Sequence, residues 1–299
     1  METGILLESG TNELEILEFR IGANHYGINV AKVREILPFK EPTPIPNAHP
    51  CIEGIFMPRD EIITIVDLAK HLNMPASGGN LDMYIVTNFN KLNIGFHVHN
   101  VVGISRVSWS DISKPDATLS GNGTGVATGI IKLDGKLIII LDFEKIISDI
   151  SPETGLKVSE IDQLGPRQRN TAPILIAEDS ALLGKLISES LSKAGYTNLT
   201  MTTNGQEAWD RLNQYKSEGV LDQKVRLIIT DIEMPQMDGH RLTKLVKDST
   251  AFSHIPVMIF SSLVNEEMRK KGEALGADAQ LSKPEIGHLV EAIDRILWK

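Results

Sequence analysis

The stretch Leu227-Ile-Ile-Thr-Asp-Ile-Glu-Met-Pro-Gln-Met-Asp-Gly239 decides the fold of the C-terminal half of the chain. Apolar residues lead up to Thr230, and Asp231 follows at the point where the chain turns polar. Pro235 lacks a backbone donor and Gly239 tolerates a positive φ, so both indicate a loop. Open α/β sheets place their chemistry where a buried parallel strand presents a side chain at its C-terminal end. Asp231 is therefore the first candidate functional residue.

Composition and charge limit the classes of protein to which the chain can belong. Its 299 residues are enough for about two domains. A formal net charge of −9 without a long basic run argues against nucleic acid and anionic membrane surfaces as partners. The single cysteine, Cys51, excludes an internal disulfide framework. The acidic N-terminus lacks the apolar core of a signal peptide, and no apolar run approaches the ~18 residues of a spanning helix. We therefore expect a cytoplasmic protein without direct membrane insertion.

Strand and helix patterns alternate five times in the C-terminal half. The apolar segments are Pro173–Ala177, Leu199–Met201, Leu227–Thr230, Val257–Phe260 and Ala279–Leu281. Each is followed by a segment with helical spacing of apolar residues or by a polar helical pattern. Such alternation predicts a flavodoxin-like, doubly wound parallel sheet of five strands.

Polar residues follow four of these predicted strands. Glu178 and Asp179 follow the first, Asp231 the third, Ser261 the fourth and Lys283 the fifth. Each alone could be a helix cap or a solvent-facing side chain, but together they converge on the carboxyl edge of the sheet. Three carboxylates at one place suit a hard divalent cation, and Mg²⁺ matches oxygen ligands best. Asp231, next to a cation and an ammonium group, is then placed as a nucleophile that forms an aspartyl-phosphate.

From about Pro173 to Lys299 the chain resembles the response-regulator receiver family. The matching motifs are Glu178-Asp179, Asp231-x-x-Met-Pro-x-Met-Asp-Gly239, Ser261 and Lys283-Pro284. They fall on the family's acidic pair, phosphorylated aspartate, switch hydroxyl and lysine.

The receiver resemblance also implies a ligand set and a backbone conformation. Mg²⁺ would be bound by Asp179, Asp231 and the backbone carbonyl of Glu233, with Glu178 reaching it through water. The Lys283-Pro284 peptide bond would be cis. One departure stands out: the family often has Tyr or Phe three residues before the lysine, where this chain has Gln280.

The N-terminal half, residues 14–150, consists of many short apolar segments separated by turns, which suggests closed or sandwiched β architecture. It also contains an internal repeat. Gly27–Ile36 and Gly95–Ile104 share the pattern GxxVxxVxxI, and Gly54–Asp67 matches Gly129–Asp142 from glycine to aspartate without a gap. Two matches in the same order predict a duplicated β-unit. We expect two similar small barrels packed together as one domain.

Over roughly residues 12–148 the chain resembles the CheW-like coupling domain of bacterial chemotaxis. The matching residues are Val33-Arg34-Glu35-Ile36, Pro46-x-x-x-Pro50-x-Ile52-x-Gly54-Ile55, Arg59 and Ile65-Val66-Asp67-Leu68. The resemblance implies two five-stranded barrels that bind a chemotaxis histidine kinase and chemoreceptor cytoplasmic domains and catalyse nothing. Arg34 and Arg59 become candidates for receptor or kinase binding. The family's usual Asn-Leu-Arg-Gly is replaced by Met57-Pro58-Arg59-Asp60.

These observations predict a coupling domain over residues 1–148, a flexible linker over 149–171 and a receiver over 172–299. This order resembles the CheV family of chemotaxis proteins. It implies an adaptor at receptor arrays, with no enzymatic activity beyond aspartyl phosphorylation and dephosphorylation of its own receiver. Phosphorylation of Asp231 would modulate the coupling of chemoreceptors to the kinase. The alternative is a phosphate sink that drains phosphoryl groups from the kinase without altering coupling.

Overall fold

The computed structural model describes residues 12–75, 81–89, 92–113, 125–151, 161, 164–165, 167–263, 266–283 and 285–298. The chain divides into two compact units, Leu14–Thr154 and a second unit that contains Gly155–Lys299. No helix among the described residues has the length and apolar character needed to cross a membrane. The predicted cis peptide bond at Lys283-Pro284 involves Pro284, which lies outside the described residues.

The N-terminal unit is built almost entirely of short strands. Its strands are β1 (Glu13–Ile21), β2 (Asn24–Asn29), β3 (Val33–Pro38), β4 (Ile52–Phe56), β5 (Ile63–Asp67), β6 (Met83–Phe89), β7 (Leu92–Val98), β8 (Asn100–Ser108), β9 (Ala127–Leu133) and β10 (Lys136–Leu141). Two short helices, α1 (Leu68–His71) and α2 (Phe143–Ile150), follow β5 and β10.

These strands form two five-stranded sheets, with orders β8-β1-β2-β10-β9 and β3-β6-β7-β5-β4. An isolated antiparallel bridge joins the two edges of each sheet. Ser113, after β8, pairs with Ile130 of β9, and Thr43, after β3, pairs with Ile55 of β4. Both sheets therefore close on themselves, which confirms the prediction of two five-stranded barrels.

The two sequence repeats do not correspond to the two sheets, because they exchange strands. The first repeat, β1–β5, gives the hairpin β1–β2 to one sheet and β3, β4 and β5 to the other. The second repeat, β6–β10, makes the reciprocal contribution. The parallel pairs β2–β10 and β5–β7 join strands of different repeats. Neither repeat can thus complete a sheet alone.

The glycine positions that the two repeats share have a steric explanation in the structure. A Cβ atom on Gly27 would lie 2.8 Å from Ile140 Cδ1, and one on Gly95 would lie 2.7 Å from Ile65 Cδ1. Both glycines thus leave room for an isoleucine of the neighbouring parallel strand. At the end of the second match, Asp67 and Asp142 cap α1 and α2 by accepting from backbone amides three residues later.

The C-terminal unit is a five-stranded, wholly parallel sheet between helices. Its strands are β11 (Ile174–Ala177), β12 (Leu199–Thr202), β13 (Leu227–Thr230), β14 (Val257–Ser261) and β15 (Ala279–Ser282), in the order β12-β11-β13-β14-β15. Its helices are α3 (Ala181–Lys193), α4 (Gly205–Ser217), α5 (Leu221–Lys224), α6 (Gly239–Asp248), α7 (Glu266–Ala274) and α8 (Ile286–Leu297).

Both faces of this sheet are buried, because successive side chains of a strand point to opposite sides. In β11, Ile174 and Ile176 belong to the apolar layer that includes α3 and α8. Leu175 and Ala177 belong to the opposite layer, which includes α4 and α6. Burial on both faces explains why the strands read as unbroken apolar runs. The doubly wound parallel sheet is thereby confirmed.

The segment just before β11 packs against the helices of its own unit. Ile161 is buried in the layer formed with α3 and α8. Arg167 donates from Nη2 to Asp294 Oδ1 at 2.6 Å and from Nε to the Ala194 carbonyl at 2.8 Å. Ile161 and Arg167 belong to the segment predicted as a linker over residues 149–171, and α2 ends at Ile150 within it. The linker boundaries stay a prediction.

Gly54 and Gly103 provide a matched test of barrel closure. Their φ angles are nearly equal, 152° and 158°, but a Cβ on Gly54 would lie 2.2 Å from the Thr43 carbonyl oxygen, whereas one on Gly103 would contact nothing within 4 Å. We expect Gly54→Ala to lose about 1–3 kcal/mol more unfolding free energy than Gly103→Ala, because its methyl group breaks the Thr43–Ile55 bridge. Urea unfolding measures both, and equal losses would show that this bridge does not hold the barrel closed.

Candidate functional site

A buried ion triad lies at the carboxyl edge of the parallel sheet. Lys283, directly after β15, donates from Nζ to Glu178 Oε2 at 2.8 Å and to Asp231 Oδ2 at 2.9 Å. Glu178 follows β11 and Asp231 follows β13, so three strand ends meet at one point. The three residues are only 3%, 5% and 7% exposed, in the order Lys283, Glu178 and Asp231. Water therefore screens these charges only weakly, and each charge is stabilised by the opposite charge beside it.

Asp179 adds a third carboxylate to this site. Glu178, Asp179 and Asp231 each have an oxygen atom within 4.8 Å of the others. With the single ammonium group of Lys283, the group carries an excess of two negative charges. Clustered carboxylate oxygens are the donor set that a hard divalent cation requires, so these residues fit Mg²⁺.

The loop after Asp231 holds this carboxylate by backbone contacts. The Ile232 amide donates to Asp231 Oδ1 at 2.6 Å, which leaves Oδ2 for Lys283. Gly239 passes so close that a Cβ there would lie 1.9 Å from the Asp231 carbonyl oxygen. Asp238 caps α6 by accepting from the Arg241 amide at 2.7 Å. The sequence predicts a loop at Asp238-Gly239, and in the structure this pair also begins α6 beside Asp231.

The same loop is anchored in the apolar layer formed with α4 and α6. Met234 and Met237 are both buried there, and Gln236 between them adopts a φ of 68°. Sequence reasoning missed Gly205, whose amide donates to the Met237 carbonyl at 3.1 Å. A Cβ on Gly205 would lie 2.6 Å from that oxygen. The signal was the pair Asn204-Gly205, which predicts a helix start but not this close approach.

Ser261 and Glu233 lie at the same edge of the sheet. Ser261 is the last residue of β14 and is fully buried; its Oγ accepts from the Leu263 amide at 3.2 Å. Its carbonyl accepts from the Lys283 amide at 3.1 Å, which ties the end of β14 to the lysine. Glu233 lies two residues after Asp231 in the loop and is partly buried. The structure thus brings Glu178, Asp179, Asp231 and Lys283 together and places Ser261 and Glu233 beside them.

In the N-terminal unit, Arg34 is engaged by acidic neighbours. It donates to Glu61 Oε1 at 2.8 Å and to Oε2 at 2.7 Å, and also to Glu35 at 2.7 Å. These hydrogen bonds, the one to Glu61 first, raise the pKa of Arg34. Sequence reasoning missed Glu61 because it lies 27 residues away along the chain. A carboxylate of a binding partner could contact Arg34 in this way only by displacing Glu61.

Arg59 lies in an exposed turn with unusual backbone geometry. Arg59 and Asp60 have positive φ angles, 53° and 66°. Residues other than Gly adopt this region at an energetic cost, which is smallest for Asn and Asp. Asp60 thus keeps the left-handed conformation that a glycine would adopt without strain, and Arg59 extends from the surface on this turn.

Comparison with known proteins agrees with both units. Residues 15–151 match the model of the CheW-like domain, and residues 174–294 match that of the response regulator receiver domain. Chemotaxis protein CheV3 of Helicobacter pylori (strain ATCC 700392 / 26695) is 33% identical over 303 residues, which cover 96% of this chain and 96% of that protein. The chain belongs to the CheV family of chemotaxis proteins. A CheW-like unit followed by a receiver is thereby established as its architecture.

Further relatives match the whole CheV-type chain or its CheW-like unit. Chemotaxis protein CheV2 of the same Helicobacter pylori strain is 30% identical over 308 residues, 96% of this chain and 95% of that protein. Chemotaxis protein CheW of Thermotoga maritima is 30% identical over 151 residues, 50% of this chain and 98% of that protein. The predicted resemblance to a coupling domain fused to a receiver is confirmed.

Lys283→Met tests whether the ion triad balances charge in the receiver. The variant leaves two buried carboxylates without a cation, and we expect a loss of about 3–5 kcal/mol in the free energy of unfolding. The double variant Lys283→Met with Glu178→Gln removes one of these charges and should recover part of the loss. Urea unfolding of the receiver measures both.

The control is Lys185→Met, because Lys185 is exposed and its nitrogen lies 3.8 Å from Glu189. Its effect should stay within about 0.5 kcal/mol. A Lys283→Met protein as stable as the wild type would contradict the charge-balancing role.

Proposed function

We propose that this CheV-family chain is a scaffold of chemotaxis arrays that is controlled by phosphorylation. Its CheW-like unit couples chemoreceptor cytoplasmic domains to a histidine kinase, and its receiver accepts a phosphoryl group on Asp231. The observation that carries the proposal is the buried triad of Lys283, Glu178 and Asp231, in one chain with a CheW-like unit. Such a triad holds a reactive carboxylate in a fixed position.

In the proposed reaction an Asp231 carboxylate oxygen attacks the phosphorus of a phosphohistidine on the kinase. A P–O bond to Asp231 forms while the P–N bond breaks, and the histidine nitrogen keeps the electron pair. The Ile232 amide orients the carboxylate through Oδ1. Lys283, already 2.9 Å from Oδ2, compensates the charge that arrives with the phosphoryl oxygens. Ser261 offers a hydroxyl to the phosphoryl group from the neighbouring strand.

Mg²⁺ is the cofactor of this proposal. Asp179, Asp231 and the Glu233 carbonyl would hold it, with Glu178 reaching it through water. When bound, it supplies a positive charge that neutralises the transferring phosphoryl group. The excess of negative charge among the clustered carboxylates supports this assignment.

The partners of the CheW-like unit are a histidine kinase and chemoreceptors, as the family of this unit implies. We assign receptor or kinase contact to Arg59 and Arg34. Arg59 is exposed, whereas Arg34 would exchange its bond with Glu61 for a partner's carboxylate. Residence at cytoplasmic receptor arrays follows from these partners. No enzymatic activity beyond the receiver's own phosphorylation and dephosphorylation is part of the proposal.

The nucleophile assignment is tested with acetyl phosphate and Mg²⁺ on the full-length protein. We expect the wild type to gain one acid-stable, base-labile phosphoryl group by intact mass, and chelation of Mg²⁺ should prevent this. Asp231→Asn should gain none, because the amide cannot form the acyl phosphate.

The matched control is Asp210→Asn, an exposed carboxylate on α4, which should be labelled like the wild type. If Asp231→Asn takes up as much phosphate as the wild type, the assignment is wrong.

A further inference from the structure

His97 of β7 lies between two carboxylates that come from different parts of the CheW-like unit. Its Nδ1 is 2.8 Å from Oε1 of Glu53 in β4, and its Nε2 is 3.2 Å from Oδ2 of Asp82, which directly precedes β6. The side chains of His97 and Asp82 are only 11% and 5% exposed. Glu53 Oε2 is buried and has no hydrogen-bond partner among the described residues. The imidazole therefore joins two carboxylates at a place that water hardly reaches.

This geometry requires a proton on each ring nitrogen of His97. An ionised carboxylate only accepts hydrogen bonds, and only the imidazolium form of histidine carries two N–H groups. Burial lowers the pKa of His97, but the hydrogen bonds and charges of Glu53 and Asp82 raise it by more, so the pKa lies above its ordinary value of 6.5. The ring of Phe39 lies against the imidazole, with centroids 4.8 Å apart and planes inclined by 25°. An aromatic face of this kind also favours the charged form.

Other titratable groups on the elements around His97 are engaged differently. Asp67 of β5 pairs with His97 in the register, and its carboxylate caps α1. Tyr84 of β6 pairs with His97 from the other side; its phenol donates to the Lys40 carbonyl at 2.7 Å, and burial raises its pKa. The Lys40 ammonium group lies 6.0 Å from the centroid of an aromatic ring in β4. Burial lowers the pKa of His99, whose Nδ1 accepts from a backbone amide. His97 is therefore the residue of this cluster whose charge changes as the pH rises above 6.5.

The same cluster holds the segment that follows β3. The Asp82 carbonyl accepts from the Phe39 amide at 3.1 Å, so the residue that contacts His97 also fixes the chain at Phe39. The Phe39 ring contacts both His97 and Tyr84, and it is 43% exposed. Loss of a proton from His97 would leave a lone pair facing a carboxylate and would weaken the stacking on Phe39. Deprotonation thus acts directly on this segment.

The corresponding position of the first repeat does not carry a titratable side chain. Gly27 and Gly95 align the two repeats, so Asn29 corresponds to His97. Asn29 accepts from the Ala31 amide at 2.9 Å and caps the short turn that follows β2. The shared fold of the repeats therefore does not require a histidine at this position.

We propose that His97 is a proton switch of the CheW-like unit, which holds Phe39 and Lys40 in place when protonated and releases them when it loses its proton. A histidine whose pKa is raised on folding stabilises the fold fully below its unfolded pKa. This stabilisation is lost as the pH rises through the folded pKa. The surface that Phe39 offers to a partner thus depends on pH. The inference concerns the CheW-like unit alone and does not rest on phosphorylation of Asp231.

The test is amide hydrogen exchange of the full-length protein, followed by NMR at about pH 6 and about pH 8.5 and corrected for intrinsic exchange rates. In the wild type the protection of the Phe39 amide should fall about ten-fold at the higher pH, the factor expected for loss of one hydrogen bond to a charged group. Thr43 is the internal reference, because its amide donates to the Ile55 carbonyl at 2.8 Å and should keep its protection. In the same protein the His97 ring signals should titrate above pH 6.5.

His97→Asn installs the residue of the first repeat, and it should leave the Phe39 amide equally poorly protected at both pH values. The matched control is His288→Asn, which replaces an exposed histidine of α8 and should keep the wild-type pH dependence.

Equal protection of the wild-type Phe39 amide at both pH values would overturn the switch. So would a His97 that titrates below 6.5, or a pH dependence that persists in His97→Asn. An equal loss of protection at Thr43 would show that the whole barrel loosens, and would refute a switch confined to the segment after β3. The wild-type measurements decide the proposal even if His97→Asn fails to fold.

Discussion

The charge balance between Lys283 and two buried carboxylates is the interaction on which the receiver's site depends. Removal of Glu178, Asp231 and Lys283 from water is unfavourable, and their mutual contacts at 2.8 and 2.9 Å offset much of this cost. Three separate strands must end at the same edge to bring these groups together. The doubly wound sheet achieves this because all five strands run parallel. Asp179 adds a third carboxylate, whose oxygen lies within 4.8 Å of oxygens of Glu178 and Asp231 and completes a donor set suited to a hard cation.

Sequence patterns were sufficient to predict those features that depend on local periodicity. The apolar runs gave the parallel sheet, and the residues that follow them gave the edge where Glu178, Asp231 and Lys283 meet. The glycine spacing gave the duplicated β-unit. The strand exchange between repeats was not predictable, because Gly27 and Gly95 indicate the close approach of a neighbouring strand but not which repeat supplies its isoleucine.

Contacts between residues far apart in the chain could also not be predicted from the sequence. Glu61 binds Arg34 from 27 residues away, and Gly272 accommodates Gln280 from the neighbouring helix. In both cases the residue type alone is compatible with many structural roles. Only the folded backbone shows which role the residue has.

The two units differ in their chemistry, and this difference suggests different roles for them. The CheW-like unit is stabilised by apolar layers and closing bridges, which suit a rigid binding surface. In the receiver, addition of a phosphoryl group is a local electrostatic change that needs a movable element to have a wider effect.

Phosphorylation of Asp231 is proposed to change how the protein couples receptors to the kinase. The most direct measurement is kinase activity in reconstituted receptor–kinase arrays that carry the full-length protein, with and without acetyl phosphate, alongside Asp231→Asn. We expect the protein to co-sediment with the arrays. The kinase activity per array-bound copy of the protein should change about five-fold or more on phosphorylation. This change should occur with the wild type and not with Asp231→Asn. Absence of binding would contradict the account. An unchanged activity while phosphate is consumed would also contradict it, and would identify a phosphate sink instead.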